Sequence, residues 1–187
     1  MRPALLVVDM VEDFVSGKLG CEGARAIVPG LREFLAWSRG TDMPVAYVQD
    51  AHEKGDPEMS LWGEHAMAGT EGAATVPELA PRPGEIVVEK HVYSGFHGTP
   101  LAHLLRERRV ETVLLTGVAT DICVQHTCAE AFFLGFKPVV ISDLTATLTP
   151  ERHAAALEYM RLIHGAQILT AAKAKKRFSP ARSLPRA

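Results

Sequence analysis

The chain has 187 residues, of which 47% are apolar and 22% are charged, a composition typical of one globular domain with a sizeable core. The formal net charge of −2 gives no general attraction to nucleic acid or to an anionic membrane, and no apolar run approaches membrane-spanning length. The three cysteines form no C-x-x-C pair and the amino terminus shows no signal-peptide pattern, so we expect a cytoplasmic protein without disulfides. In this interpretation Cys21 is incidental and Cys128 lies in the core.

Strands and helices are predicted to alternate along the chain. Short apolar runs predict strands at residues 4–8, 44–48, 86–88, 113–115, 138–141 and 166–169. Helical spacing of apolar residues predicts helices at residues 28–37, 99–109, 122–134 and 150–164, the third of them capped by Thr120 or Asp121. This alternation predicts a three-layer α/β/α fold with a central, six-stranded, mainly parallel sheet of Rossmann-like type. We expect a single domain over residues 1–172 and a basic, loosely ordered tail over residues 173–187.

Four chemically distinctive residues follow the ends of different predicted strands: Asp9, Asp50, Lys90 and Cys123. Because the carboxyl ends of parallel strands meet at one edge, we expect these side chains to converge there. Taken singly, a turn carboxylate, a solvated lysine and a core cysteine would be the ordinary interpretations. Together, an acid could accept the thiol proton, a lysine could stabilise charge and a thiolate, favoured by the start of a helix, could attack an amide.

Three separated segments resemble, in order, the motifs of the isochorismatase-like cysteine hydrolases, the superfamily that includes the nicotinamidases. They are LLVVDMVEDF, EKHVYSGFHGTPL and GVATDICVQHT. The resemblance implies the isochorismatase-like hydrolase fold, with Asp9 as general base, Lys90 completing the triad and Cys123 as nucleophile. It also implies a cis peptide bond between Val118 and Ala119, and an oxyanion hole formed by the N–H groups of Ala119 and Cys123.

The long connection over residues 55–83 carries candidate metal ligands. Asp50 and His52 form a D-x-H pair and His65 follows, a spacing that is by itself a weak indication because loop histidines are common. Such ligands suit zinc, manganese or iron(II). The resemblance to nicotinamidases implies that these three residues bind one divalent ion, Zn, Mn or Fe, which anchors the substrate's pyridine nitrogen directly or through water. A fourth ligand is open among three acidic residues: Glu58, at the expected place, Asp56 and Glu64.

Aromatic residues near the motifs could contact a flat substrate ring, although their default role is to pack the loop itself. We expect Phe14, Trp62 and Tyr93 to bind substrate together with Val118, and Phe96 is a further candidate. Residues 50–52 read Asp-Ala-His, where the commoner nicotinamidase pattern has Trp-His after the Asp. Residues 62–65 read Trp-Gly-Glu-His, where that pattern has W-P-x-H. These differences keep the ligands and change the pocket wall.

The resemblance therefore implies hydrolysis of a small carboxamide through a Cys thioester, with nicotinamide as the first candidate, in NAD salvage. The substrate would be a small molecule and the enzyme a homo-oligomer, a dimer or a tetramer. One alternative is a metal-free relative that cleaves another amide, an N-carbamoyl or other ureido compound, or an isochorismate-like substrate. Another is a non-enzymatic member of the fold, against which the intact set of Asp9, Lys90 and Cys123 argues.

Overall fold

The computed structural model describes residues 2–179, and in this part of the chain six strands form one fully parallel sheet. The strands are β1 (Pro3–Val8), β2 (Val45–Asp50), β3 (Ile86–Lys90), β4 (Thr112–Val118), β5 (Lys137–Ala146) and β6 (Gln167–Leu169). Their spatial order is β3-β2-β1-β4-β5-β6. The direction of chain progression therefore reverses between β1 and β4, which opens a crevice at the carboxyl edge of the sheet.

Helices connect successive strands and cover both faces of the sheet. They are α1 (Glu12–Val15), α2 (Glu22–Arg39), α3 (Met59–Trp62), α4 (Leu101–Glu107), α5 (Cys123–Phe133), α6 (Pro150–Ile163) and α7 (Ala171–Phe178). The connection from β2 to β3 contains α3 and two 3₁₀ turns, Glu71–Ala73 and Pro77–Leu79. Among the described residues, no helix is both long and apolar enough to cross a membrane.

Alternate residues of each strand pack into separate cores on the two sheet faces. On one face, Leu6 and Val8 of β1 belong to a buried cluster with α4, α5 and α6, and Cys128 lies in it as predicted. On the other face, Leu5 and Val7 of β1 belong to a second cluster with α2 and α7. Strands buried on both sides explain the continuous apolar runs in the sequence. The predicted three-layer α/β/α fold is confirmed.

Two element boundaries differ from those predicted. Helix α2 begins at Glu22, several residues before its first apolar repeat, because the sulfur of Cys21 accepts a hydrogen bond from the N–H of Ala24 at 3.4 Å. Strand β5 continues to Ala146, because its pairing with β4 resumes at Gly117 after a register shift. This extension brings the chain after β5 close to the carboxyl edge of β4.

The basic carboxyl-terminal segment is helical where it is described. Helix α7 starts at Thr170, whose side chain accepts a hydrogen bond from the N–H of Lys173 at 3.4 Å. Ala174 is buried, and Lys175 Nζ lies 5.8 Å from the ring centroid of Phe34 on α2. The prediction of a loosely ordered tail is therefore wrong for residues 173–178. The expected tail beyond residue 179 lies outside the described residues.

Candidate active site and metal centre

The side chains of Asp9, Lys90 and Cys123 meet at the carboxyl edge of the sheet. Asp9 directly follows β1, Lys90 ends β3 and Cys123 begins α5. The Nζ atom of Lys90 lies 2.9 Å from Oδ2 of Asp9 and 3.6 Å from Sγ of Cys123. It also forms an ion pair with Oδ1 of Asp50. All four residues are buried, so water screens these interactions weakly.

Backbone contacts fix the orientation of the Asp9 carboxylate. Asp9 has a φ of 50°, in the left-handed region that non-glycine residues seldom occupy outside functional sites. Its N–H donates to the carbonyl of Val48 at 2.8 Å, and its Oδ1 accepts a hydrogen bond from the N–H of Asp50 at 2.8 Å. Strand β2 therefore holds one oxygen of this carboxylate while the other faces Lys90.

Glycine is required near the end of β4, where this strand lies close to the backbone of β1. Gly117 has a φ of 102°, and a Cβ atom there would lie only 1.9 Å from the carbonyl oxygen of Val8. The next peptide bond, between Val118 and Ala119, is cis, as the sequence resemblance implied. Among residues 2–179, neither the N–H of Ala119 nor that of Cys123 has a hydrogen-bond acceptor. Both donors are available to a ligand.

The first turn of α5 is not capped by Thr120 or Asp121, contrary to prediction, and the residue at its N-cap position makes no side-chain hydrogen bond. Thr120 Oγ1 instead lies 2.9 Å from Nδ1 of His153 on α6. Asp121 accepts hydrogen bonds from Oγ1 of Thr147 and Nε of Arg152, each at 2.5 Å. These contacts attach the loop before Cys123 to the connection between β5 and α6.

Burial controls the protonation of the three central groups. It raises the pKa of Asp9 to about 6, together with the neighbouring Asp50 carboxylate and against the charge of Lys90. It also raises the pKa of the Cys123 thiol well above its usual value, an effect that Lys90 only partly offsets. Burial alone would lower the pKa of Lys90, but the Asp50 and Asp9 carboxylates outweigh it and raise that pKa. Contrary to the expectation from the helix start, the resting group is a thiol beside a carboxylate that can accept its proton.

A second group of buried side chains lies beside these residues. Ligand atoms of Asp50, His52, Glu58 and His65 all lie within 4.8 Å of one another. Nε2 of His52 is 3.4 Å from Oδ2 of Asp50 and 3.7 Å from Oε2 of Glu58. In the described chain, Asp50 Oδ2, His52 Nε2 and Glu58 Oε1 are buried without a hydrogen-bond partner. Such unsatisfied groups are costly unless a ligand binds them.

Further contacts orient the two imidazoles. Nδ1 of His52 lies 3.0 Å from Oδ2 of Asp56, and Nδ1 of His65 lies 2.8 Å from the carbonyl oxygen of Gly63. Each contact leaves Nε2 free to bind a cation, an arrangement typical of histidine metal ligands. Glu58 is therefore the fourth member of the cluster, Asp56 supports His52 from outside it, and Glu64 is exposed.

The charge balance of the cluster suits a cation. Burial lowers the pKa of His52, but the Asp50 and Asp56 carboxylates outweigh it and bring the pKa to about 9. Burial and the Asp50 charge raise the pKa of Glu58 to about 7. Without a metal, protons must offset the negative charge of this cluster. Two imidazoles and two carboxylates fit a divalent transition metal, which would replace those protons.

A cavity of about 260 Å³ opens over both groups of residues. Its walls include the four predicted substrate contacts, Phe14, Trp62, Tyr93 and Val118, and they are mostly apolar. Nε1 of Trp62 donates a hydrogen bond to the hydroxyl of Tyr93 at 3.1 Å, which joins the loop that carries Glu58 to the loop after β3. Phe96 lines no part of this cavity, because its ring stacks in the core at 5.6 Å from that of Phe136. Phe96 is therefore not a substrate contact in this structure.

Residues 3–173 match the isochorismatase domain family. The nicotinamidase/pyrazinamidase of Mycobacterium tuberculosis is 34% identical over 84% of this chain and 94% of its own length. The crystal structure of N-carbamoylsarcosine amidase from Thermoplasma acidophilum is 38% identical, with a TM-score of 0.86 over 91% of this chain and 97% of its own. That of the pyrazinamidase of Pyrococcus horikoshii in complex with zinc is 30% identical, with a TM-score of 0.83 over 91% and 99% of the two chains.

The chain belongs to the isochorismatase family.

Sequence reasoning missed several residues that complete the site of this isochorismatase-family protein. Oδ2 of Asp13 accepts a hydrogen bond from the N–H of Ala66 at 2.8 Å and so supports the segment that carries His65. Cys21, which we expected to be incidental, lines the cavity and caps α2. The remaining wall residues that were not predicted are Leu19, Gly20, Ile122, Thr147 and Leu148. The aspartate in VEDF, within the first motif, was the available signal for Asp13.

Proposed function

We propose that this protein is a cysteine amidohydrolase that converts nicotinamide to nicotinate and ammonia. The observation that carries this proposal is the position of Cys123, within reach of Lys90 and Asp9, at a small apolar cavity whose wall also includes the Asp50, Glu58 and His65 side chains. The family members named above include two that hydrolyse amides by name, a nicotinamidase/pyrazinamidase and a carbamoylsarcosine amidase. Both names agree with cleavage of a C–N bond.

The first half of the reaction forms a thioester. Asp9 takes the proton of the Cys123 thiol as the sulfur attacks the carboxamide carbon, and Lys90 stabilises the negative charge as it moves. The free N–H groups of Ala119 and Cys123 bind the developing oxyanion. Asp9 then returns its proton to the leaving nitrogen, so ammonia departs and the acyl group stays on sulfur.

The second half releases the acid. Asp9, again a carboxylate, accepts a proton from a water molecule that attacks the thioester carbon, and the same two N–H groups bind the new oxyanion. The carbon–sulfur bond breaks, Asp9 returns the proton to the sulfur of Cys123, and the product leaves as nicotinic acid, which ionises to nicotinate in water. Lys90 remains protonated throughout, because two carboxylates surround its ammonium group.

Asp50, His52, Glu58 and His65 would hold one divalent zinc, manganese or iron ion. Such an ion supplies a Lewis acid that can bind the ring nitrogen of a pyridine carboxamide, directly or through water. Because the lining of the cavity includes Cys123 together with Asp50, Glu58 and His65, a flat ring could reach from the cluster to the sulfur. Phe14, Trp62 and Tyr93 supply aromatic surfaces in the same cavity.

The charge of the cavity wall favours a neutral amide. Among the described residues that line it, none is a lysine or an arginine. An N-carbamoyl amino acid carries a carboxylate, which would enter an apolar cavity without a guanidinium or ammonium partner. An N-carbamoyl amino acid hydrolase is nevertheless the second candidate, since the similar Thermoplasma structure is named for that reaction.

Ammonia release tests both candidates. Purified protein is assayed with nicotinamide and with N-carbamoylsarcosine, each with and without a chelator, and Cys123→Ala is compared with Cys128→Ala as the matched control in the core. We expect release from nicotinamide that requires both Cys123 and the metal and that survives in Cys128→Ala. Chelator-insensitive release from N-carbamoylsarcosine would replace nicotinamide with the second candidate. Failure of both substrates would contradict the proposed function.

A further inference from the structure

A second cavity lies at the opposite edge of the sheet from the candidate active site. It has a volume of about 460 Å³ and adjoins the amino-terminal ends of β2 and β3, where Val45 and Ile86 form part of its wall. Four arginines line it, against two acidic residues: Arg2, Arg39, Arg82, Arg108, Asp42 and Glu85. The chain as a whole carries a formal charge of −2, so this local excess of positive charge is opposite in sign to the average.

One of the arginines is already paired and makes the wall rigid. Arg39 binds both carboxylate oxygens of Glu85, at 2.8 and 2.9 Å, and also the hydroxyl of Tyr47 and the carbonyl of Ala80, each at 3.1 Å. Glu85 in turn accepts a hydrogen bond from the backbone N–H of Arg82 at 2.7 Å. The backbone that carries Arg82 is therefore held in place, while its guanidinium is not used in this network.

The other three guanidinium groups retain unused donors. Among the described residues, Arg2, Arg82 and Arg108 form no ion pair within 4.0 Å, and the side chain of Arg108 donates only to the carbonyl of Leu104, at 3.0 Å. The backbone carbonyl of Arg2 accepts the N–H of Glu111 at 2.9 Å, which fixes the start of β1 beside the start of β4. Three arginines with unused guanidinium donors thus line one cavity.

We propose that this cavity, which we name the arginine cleft, binds the pyrophosphate group of a small phosphorylated molecule. Guanidinium groups bind phosphate oxygens through paired hydrogen bonds, and several together match a group with more than one negative charge. A single carboxylate carries one negative charge and would balance only one of the three available guanidinium groups. The arginine cleft lies across the sheet from Cys123, so its ligand occupies a site separate from that of the amide substrate.

Calorimetric titration at constant ionic strength tests the arginine cleft with sodium pyrophosphate, ADP and adenosine as probes. We expect pyrophosphate and ADP to bind and adenosine to give no signal. The Arg2→Gln/Arg82→Gln double variant should bind pyrophosphate at least about 10-fold more weakly, because it loses two charge-assisted contacts. Both side chains are exposed, and thermal unfolding will verify that the variant is folded.

Two controls make the result specific. Arg32→Gln changes an exposed arginine of α2 that does not line the arginine cleft, and it should bind pyrophosphate like the parent. His52→Ala removes one of the four candidate metal ligands, because pyrophosphate could also bind a metal ion held there. This variant should bind pyrophosphate like the parent. Equal affinities for pyrophosphate and ADP would show that the arginine cleft recognises the pyrophosphate group alone. Much tighter binding of ADP would show that its ligand is a nucleotide. The proposal is overturned by absence of binding, by equal weakening in Arg32→Gln, or by loss of binding in His52→Ala.

Discussion

The ammonium group of Lys90 lies 3.6 Å from the sulfur of Cys123. This positive charge faces a thiol whose pKa burial raises, and it lies between two carboxylates that would otherwise repel each other. Lys90 therefore stabilises both the charge that forms on sulfur during attack and the buried acidic groups of the resting fold. Replacement of Lys90 should therefore change both the rate of hydrolysis and the stability of the fold.

Replacing Lys90 should reduce activity and stability together. In Lys90→Gln the Asp9 and Asp50 carboxylates lose their buried counter-charge, so we expect a loss of about 3–5 kcal/mol in the free energy of unfolding. Amide hydrolysis should fall by at least about 100-fold even where the variant is fully folded. Denaturant unfolding and kcat/KM measure the two effects, with the exposed Lys176→Gln as control. A Lys90→Gln variant with near-parental kcat/KM would exclude Lys90 from the catalytic set.

The acidic limb of the pH profile of kcat/KM should report the ionisation of the Asp9 carboxyl group. Only its carboxylate form accepts the thiol proton, and its pKa without a bound metal is about 6, because burial raises it. A cation on the adjoining Asp50 adds positive charge and can only lower this value. We therefore expect kcat/KM, measured with excess metal, to fall as the pH decreases through a value of about 6 or lower. A midpoint above pH 7, shared by Cys128→Ala, would contradict Asp9 as the base.

Asp56 should control metal affinity without acting as a ligand. Its carboxylate contacts Nδ1 of His52 at 3.0 Å, whereas Nε2 of that ring faces the cluster. We expect Asp56→Asn to weaken metal binding by about 10- to 100-fold, with kcat recovered at saturating metal. Competition with a chromogenic chelator measures the affinity. Glu64→Gln, at the exposed position between Gly63 and His65, should bind metal like the parent.

The Asp121–Arg152 pair should position the loop that carries the nucleophile. Asp121 connects this loop to Thr147 on the cavity wall and to Arg152 at the start of α6. We expect Asp121→Ala to lower kcat about 10-fold or more through displacement of Cys123, with little change in metal affinity. Asp121→Asn, which still accepts the Thr147 hydrogen bond, should recover part of the loss. The control is Arg161→Gln, because the ion pair of Arg161 with Glu158 is exposed and neither residue lines the cavity. An equal loss of kcat in this variant would show that Asp121 does not act by positioning Cys123.

Residues that follow strands in recognisable motifs were the ones that the sequence predicted. Asp9, Lys90 and Cys123 converge because the carboxyl ends of β1, β3 and β4 lie along one edge, a consequence of parallel topology alone. Asp50, His52 and His65 were found by their spacing and by resemblance. Glu58 was one of three candidates for the fourth ligand. Only the folded structure distinguishes it from Asp56, because Asp56 contacts Nδ1 of His52, outside the cluster.

The cavity wall could not be predicted to the same extent. Leu19 and Leu148 come from distant parts of the chain and approach one cavity only after the sheet has formed. The position of Cys123 at a helix start also led us to expect a thiolate, whereas burial raises the pKa of the thiol. Helix α7 was missed because the residues that pack against the core, Ala171, Ala174 and Phe178, are few and are separated by charged residues.

His52 and His65, two of the four candidate metal ligands, flank the loop over residues 53–64. Most of this loop is exposed, yet it carries Glu58 into the cluster and Trp62 over the cavity. A cation bound to His52 and His65 would close this loop as a cross-link does, restricting its open conformations without a covalent bond. Scarcity of metal would then expose the segment to proteases as well as stop hydrolysis, so the cellular lifetime of the enzyme would depend on its supply of metal.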